Sequence, residues 1–152
     1  MIIASFTVPG IPVAKARARV TKAGHAFTPK KTQNYEALVK MCAAQAMKGK
    51  SPVDGPVVVQ VIAVFPQAES WPMWKKRLAD LSELAHTKKP DEDNIGKAIS
   101  DAMNGVVYID DAQVTIKTIF KKYVSIVNRE VGCFVSVYKA PGYPCQIKRR
   151  PE

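Results

Sequence analysis

The run Val57-Val58-Val59-Gln60-Val61-Ile62-Ala63-Val64-Phe65, held between Pro56 and Pro66, is almost unbroken in β-branched and apolar residues. A half-exposed strand alternates polar with apolar side chains, whereas a run of this kind suits a strand covered on both faces. Proline brings no N–H to a ladder, so the flanking pair marks the ends. The segment predicts the centre of a sheet.

Towards the N-terminus, Tyr35, Leu38, Val39, Cys42 and Ala46 recur at i, i+3, i+4, i+7 and i+11, which predicts a helix with one buried face, stopped near Gly49. Ile2 to Val8 reads as a first strand ended by Pro9-Gly10-Ile11-Pro12. Between them lies an extended arm in which Lys15, Arg17 and Arg19 alternate with Ala14, Ala16 and Ala18, so the charges face one way. Ala23-Gly24-His25 then forms a turn leading to Phe27.

Towards the C-terminus, Trp71, Trp74, Leu78, Leu81 and Ala85 predict a second helix with Lys75, Lys76 and Arg77 on its outer side. A third starts near Asn94, buries Ile95, Ala98, Ile99, Ala102 and Met103, and ends at Asn104-Gly105. A short strand over Val106 to Ile109 leads to Asp110-Asp111. Gln113 to Tyr123 alternates as a long strand, with Val131 to Tyr138 expected antiparallel beside it. The sum is a single α+β domain over residues 1–139: a mixed sheet of four to five strands with helices packed on it. Residues 140–152, with Lys148-Arg149-Arg150, have no periodicity and are expected to form a mobile basic tail.

The 152 residues are ample for a core, and 23 Lys and Arg against 13 Asp and Glu give a net charge of +10, which suits an anionic partner. A membrane is the weakest choice, because no apolar run approaches a spanning length and Met1-Ile2-Ile3-Ala4 lacks the pattern of a secretory signal. Cys42, Cys133 and Cys145 are odd in number and widely spaced, which argues against a disulfide framework or a zinc finger. A reducing, cytoplasmic setting is the expectation.

Against this basic background the 21 residues from Asp91 to Asp111 hold six carboxylates (Asp91, Glu92, Asp93, Asp101, Asp110, Asp111) and one base, Lys97. Like charges crowded together are costly unless a cation or hydrogen bonds compensate them. Asp91 and Asp93, two apart in an extended segment, project to one side, while Asp93, Lys97 and Asp101 stack on the face of the third helix away from its apolar stripe. With Asp111 closing the group, three hard oxygen donors suit magnesium, or manganese in its place. Such an ion activates water and polarises a phosphodiester, with Lys97 facing the charge that develops on phosphorus oxygens. Each residue also has a plainer reading. Asp93 suits a helix N-cap, Lys97 and Asp101 a solvated i, i+4 pair, and Asp110-Asp111 a turn before a strand. Their coincidence in one window favours the metal site. The bases Lys15, Arg17, Arg19, Lys22, Lys30 and Lys31, which precede the first acid, Glu36, suit phosphate contacts, as do Lys117, Lys121 and Lys122. Trp71 and Trp74 read as core residues before base-stacking ones, and His25 and His86 as surface or structural.

The block Lys89-Pro90-Asp91-Glu92-Asp93-Asn94, Lys97, Asp101, Asn104-Gly105 and Tyr108-Ile109-Asp110-Asp111-Ala112-Gln113-Val114 resembles, in order and spacing, the signature of the RusA-type Holliday junction resolvases. Gly10 to Arg19, Thr28 to Thr32 and Ser70-Trp71 with Lys75-Lys76-Arg77 are similar to longer members, so the likeness spans residues 1 to 138. The resemblance implies a RusA-like fold and a homodimeric, magnesium-dependent endonuclease, of a bacterial host or its phage. It implies four-way junction DNA as the substrate, resolved by symmetric nicking in recombination and repair. Asp91, Asp93 and Asp111 match the family's catalytic, metal-binding carboxylates and Lys97 its catalytic lysine. Glu92 departs from an often apolar position, and the roles of Asp101 and Asp110 stay open. The alternatives are a nuclease for flaps or single strands, and a non-catalytic nucleic-acid-binding protein.

Overall fold

A computed structural model describes residues 1–141. In chain order it has strand β1 (Ile2–Pro9), the small hairpin β2 (Arg19–Val20) and β3 (Ala26–Phe27), helix α1 (Lys30–Met47), strand β4 (Val57–Phe65), helices α2 (Met73–Asp80) and α3 (Glu92–Met103), a 3-10 turn over Asp111–Gln113, and strands β5 (Val114–Tyr123) and β6 (Gly132–Lys139). The main sheet runs β1-β6-β4-β5. Only the β4–β5 pair is parallel. The expected α+β arrangement on a mixed sheet is therefore the one the chain adopts.

β4 lies inside the sheet, as its composition requires, but it is not covered on both faces as expected: Val58, Gln60 and Ile62 lie half-buried on a face that carries no helix among the described residues. Val57, Val59, Val61 and Ala63 are fully buried on the face that carries α1 and α3. The register continues that face into Val137, Val135 and Cys133 of β6, and into Lys117, Ile119 and Lys121 of β5. Against it pack Tyr35, Val39, Ala43 and Met47 of α1 and Ile95, Ala98, Ile99, Ala102 and Met103 of α3. The α3 stripe is the one legible in the sequence, whereas in α1 the buried line runs through Ala43 and Met47 and leaves the expected Leu38, Cys42 and Ala46 partly buried at its edge. α3 comes closest to the sheet at Gly96, where an added methyl group would collide with the Ile119 side chain.

The expected pairing of β6 with β5 is not what forms. β6 crosses over β4 and sits between β1 and β4. The reason is polarity: β6 turns Cys133, Val135 and Val137 inward and needs a neighbour on each side, whereas β5 carries lysines even on its inner face and tolerates an edge. Two helix limits also move. α2 stops at Asp80, because Ser82 adopts a left-handed φ of 60° and the Asp80 carbonyl accepts from the Ile126 N–H instead, leaving Leu81 and Ala85 past the helix end. α3 starts at Glu92 with Asp91 as its N-cap, so Asp93 lies inside the first turn and not in an extended segment. Val106–Ile109 is not a strand; Tyr108 makes isolated bridges to Asn104 and Val53.

At the end of the domain, the Lys139 N–H donates to the Met1 carbonyl and the Ala140 N–H to that of Pro56. The rest of the expected basic tail, residues 142–152, lies outside the described residues. Among the described residues no helix is long and apolar enough to cross a membrane.

Candidate active site

α3 displays the acidic window along one exposed edge. Its apolar stripe turns Ile95, Ala98, Ile99, Ala102 and Met103 into the core, and this forces Asp93 and Lys97 outward and leaves Asp101 half-buried. Asp91, Glu92 and Asp93 crowd the helix N-terminus, where unpaired backbone N–H groups favour negative charge. That placement offsets part of their mutual repulsion. The Asp91 carboxylate makes no capping bond, and neither it nor Asp93 has an ion-pair partner among the described residues.

The other end of the window is differently employed. Asp110 accepts from the Ala112 N–H at 2.8 Å, and its own N–H donates to Gln113 Oε1 at 2.8 Å, so it caps the 3-10 turn that begins with Asp111. Gln113 Nε2 donates in turn to the carbonyls of Val53 and Gly55, at 2.9 and 2.7 Å, which fixes the turn to the loop before β4. Tyr108, fully buried, donates to the Ser100 carbonyl at 2.8 Å. Burial raises its pKa, and the nearby Asp111 and Asp101 carboxylates add to the rise. Asp111 therefore comes back beside the Ser100–Asp101 end of α3.

This bears directly on metal binding. A helix rises about 1.5 Å per residue, so Asp91 and Asp101 stand roughly 15 Å apart along the axis. Among the described residues, no three His, Cys, Asp or Glu side chains approach closely enough to hold one ion between them. Asp91 and Asp93 are neighbours, and Asp111 stands towards the other end of the same helix. Magnesium does not require an all-protein cage; one or two carboxylates with water and substrate phosphate suffice. The free oxygens of Asp91 and Asp93 fit an ion held in that way.

Of the expected phosphate contacts, Arg17, Arg19, Lys22, Lys30, Lys31, Lys117 and Lys122 are exposed. Lys15 is differently engaged: its ammonium bonds Glu36 Oε1 of α1 at 2.5 Å and Asp101 Oδ2 of α3 at 3.0 Å, and its N–H donates to the Asn94 carbonyl at 2.9 Å. It pins the arm to both helices. Lys121 Nζ donates to the Lys88 carbonyl at 2.6 Å. Below the arm opens a cleft of about 510 Å³ lined by Ala16, Arg19, Lys31, Phe65, Lys89 and Pro90, the last of these preceding Asp91 in the chain. Basic groups and free carboxylates thus meet at the start of α3.

One cluster was not legible in the sequence. His86 stacks on Phe65 with ring centroids 4.1 Å apart and leans on Tyr123 at 4.7 Å, while Trp71 meets Tyr123 edge-on at 4.8 Å. Lys75 stands over the Trp71 ring. Trp74, expected in the core, is 65% exposed. The spacing of Trp71 and Trp74 was the only signal, and periodicity cannot join it to His86. Of the thiols described, Cys42 is half-buried and Cys133 buried; burial pushes the Cys133 thiol up to about 11.

The family model for endodeoxyribonuclease RusA matches residues 9–133, most of the chain. The chain is also 35% identical over 137 residues to the uncharacterized protein YqaN of Bacillus subtilis (strain 168), a match covering 84% of this chain and 96% of that protein.

Proposed function

The chain belongs to the RusA endodeoxyribonuclease family, whose members resolve Holliday junctions, and from that premise we propose a magnesium-dependent resolvase that nicks four-way DNA junctions during recombination and repair. The observation that carries this reading is the pair of unpartnered carboxylates, Asp91 and Asp93, opening beside a cleft that bears Arg19, Lys31 and Lys89. Arg17, Arg19, Lys22, Lys30 and Lys31 hold the DNA backbone by charge, with Lys117 and Lys121 contributing from the face of β5 that carries α3; Lys122 points to the opposite face of the sheet. Lys15 braces the arm that carries them. Asp91 and Asp93 would hold the ion, and manganese is a competent substitute. When bound, the ion supplies a Lewis acid for the phosphodiester and a water of lowered pKa. Lys97, one turn after Asp93 on the same exposed edge, meets the charge that builds on the phosphorus oxygens.

A homodimer suits a substrate that is itself two-fold symmetric. The uncovered face of the sheet supports it: Ile116 and Phe120 are 47% and 48% exposed there, beside Val58, Ile62 and Phe134. A junction nuclease of this kind would act in the cytoplasm of a bacterial cell, for the host or a phage. One observation favours a rival, a non-catalytic DNA-binding protein: Asp101 and Asp110 are both taken up by internal bonds. A single assay separates the possibilities. Purified protein is offered a synthetic four-way junction, a flap, a duplex and single-stranded DNA, each with and without magnesium. Paired magnesium-dependent nicks in the junction are expected; preference for flaps or single strands changes the substrate, and salt-sensitive binding without cleavage removes the enzyme.

A further inference from the structure

We propose that the aromatic cleft beside the start of α3 takes up one unpaired nucleobase of the DNA substrate; the inference rests on the nuclease reading and names a recognition site within it. The cleft, about 310 Å³, is a separate opening that shares Ile11, Phe65 and Lys89 with the larger basic cleft. Its size falls at the lower end of the range for small-ligand pockets. Phe65 and Tyr123, only 5% and 8% exposed, form the floor with His86, and Trp71 and Ile11 stand at the sides. Lys88 and Lys89 line the opening.

Three features select a base. First, the cleft presents the His86 ring, which already lies on Phe65, with Trp71 and aliphatic surface beside it, and any base can stack on such surfaces whatever its identity. Second, His86 presents an uncharged ring. Its Nδ1 is sealed from solvent with no hydrogen-bond partner among the described residues, and burial, reinforced by Lys121 and Lys88, lowers its pKa. A protonated imidazole in that position would face two lysines. Third, the lysines at the mouth complement the phosphate that follows any base into a cleft, and they rule out a cationic guest. Apolar interior and basic rim together match a nucleotide.

The location gives the site its purpose. Lys89 and Pro90 lead without interruption into Asp91, so a base seated here holds the adjoining phosphate beside Asp91 and Asp93. In the open form of a four-way junction the base pairs at the crossover lack a stacking neighbour on one side, which makes them easier to open than pairs inside an intact duplex. Capture of one such base is therefore a means of choosing the branch point over ordinary DNA, since unstacking costs least where pairing is already disturbed.

The test uses the full chain with EDTA present, so that no cutting occurs. Four-way junctions carry 2-aminopurine at each crossover nucleotide in turn, and its fluorescence is followed on titration. At one position the emission should be quenched on binding, and Trp71→Leu should abolish the quench and weaken junction binding about 5-fold or more while leaving duplex binding unchanged. Because Trp71 also packs on Tyr123, a second variant, Ile11→Trp, fills the cleft from a side chain that is 58% exposed and should give the same loss without touching the core. Junctions bound with every 2-aminopurine unaltered, by protein that nicks the same junctions in a parallel reaction with magnesium, or a quench that survives both variants, would overturn the site and leave the nuclease standing. Failure to bind any DNA would overturn both together.

Discussion

Replacing Lys15 by Met keeps the aliphatic stem and removes the charge, and it separates two jobs for the first base of the arm. In the fold this ammonium lies 2.5 Å from Glu36 and 3.0 Å from Asp101, with all three side chains about a quarter exposed. Ion pairs this open to water contribute roughly 0.2–1 kcal/mol each. Without the lysine, Glu36 and Asp101, which lie within 3.0 Å of the same ammonium, face each other directly, and two charges roughly 5 Å apart in a water-like dielectric repel by on the order of 1 kcal/mol. The variant should lose about 1–2 kcal/mol, or about 3–6 °C in Tm for a domain of this size. Urea denaturation reads the loss as a lower midpoint at unchanged slope. Burial by itself lowers the Lys15 pKa, but the bonds to Glu36 and Asp101 outweigh it and hold the group above its ordinary 10.5. The contribution is therefore complete below about pH 10.5 and disappears as pH climbs through the raised folded value. The gap between wild type and variant should be flat near neutrality and close in strong alkali. A Lys15→Met protein as stable as wild type, whose salt slope of DNA binding falls by about 0.9, would refute the brace and make Lys15 a phosphate contact.

Asp93→Asn should lower junction nicking by on the order of 10²-fold or more while binding holds or tightens, because a carboxylate without its ion repels DNA; undiminished cutting by the purified variant removes Asp93 from the chemistry. Gly132→Ala should cost about 1–3 kcal/mol in chemical denaturation, since the new methyl group would lie 2.6 Å from the Val8 carbonyl oxygen of the paired strand; an unchanged midpoint would show that β1 shifts freely. His86 is held neutral in the fold, so as pH falls below about 6.5 the unfolded chain takes up its proton first and stability declines by up to about 1.4 kcal/mol per pH unit. His86→Phe should flatten that decline, and parallel acid profiles for the two proteins would refute the assignment.

Where a side chain's neighbours lie within its own helix or strand, the sequence was sufficient. The run Val57–Phe65 is the inner strand its composition indicates, though covered on one face only, and the stripes from Tyr35 to Ala46 and from Ile95 to Met103 mark helices, the second with its buried face as read. Periodicity also fixed which face of α3 is exposed, and so put Asp93 and Lys97 at the surface. The block from Lys89 to Val114 identified the family. Strand order was beyond reach, because which strands become neighbours depends on how polar each is on both faces at once, and β6 passed over β4 to find apolar company. The separation of Asp91 from Asp111 was equally hidden: spacing along the chain says that both lie near α3, but the bonds from Tyr108 to Ser100 and from Gln113 to Val53 and Gly55 decide at which end Asp111 settles. So too with Lys15, whose partners come from two helices, and with His86, Phe65, Trp71 and Tyr123, drawn from four places in the chain into one cleft. Local pattern records what each segment must bury, whereas partners distant in sequence are settled only when the segments pack.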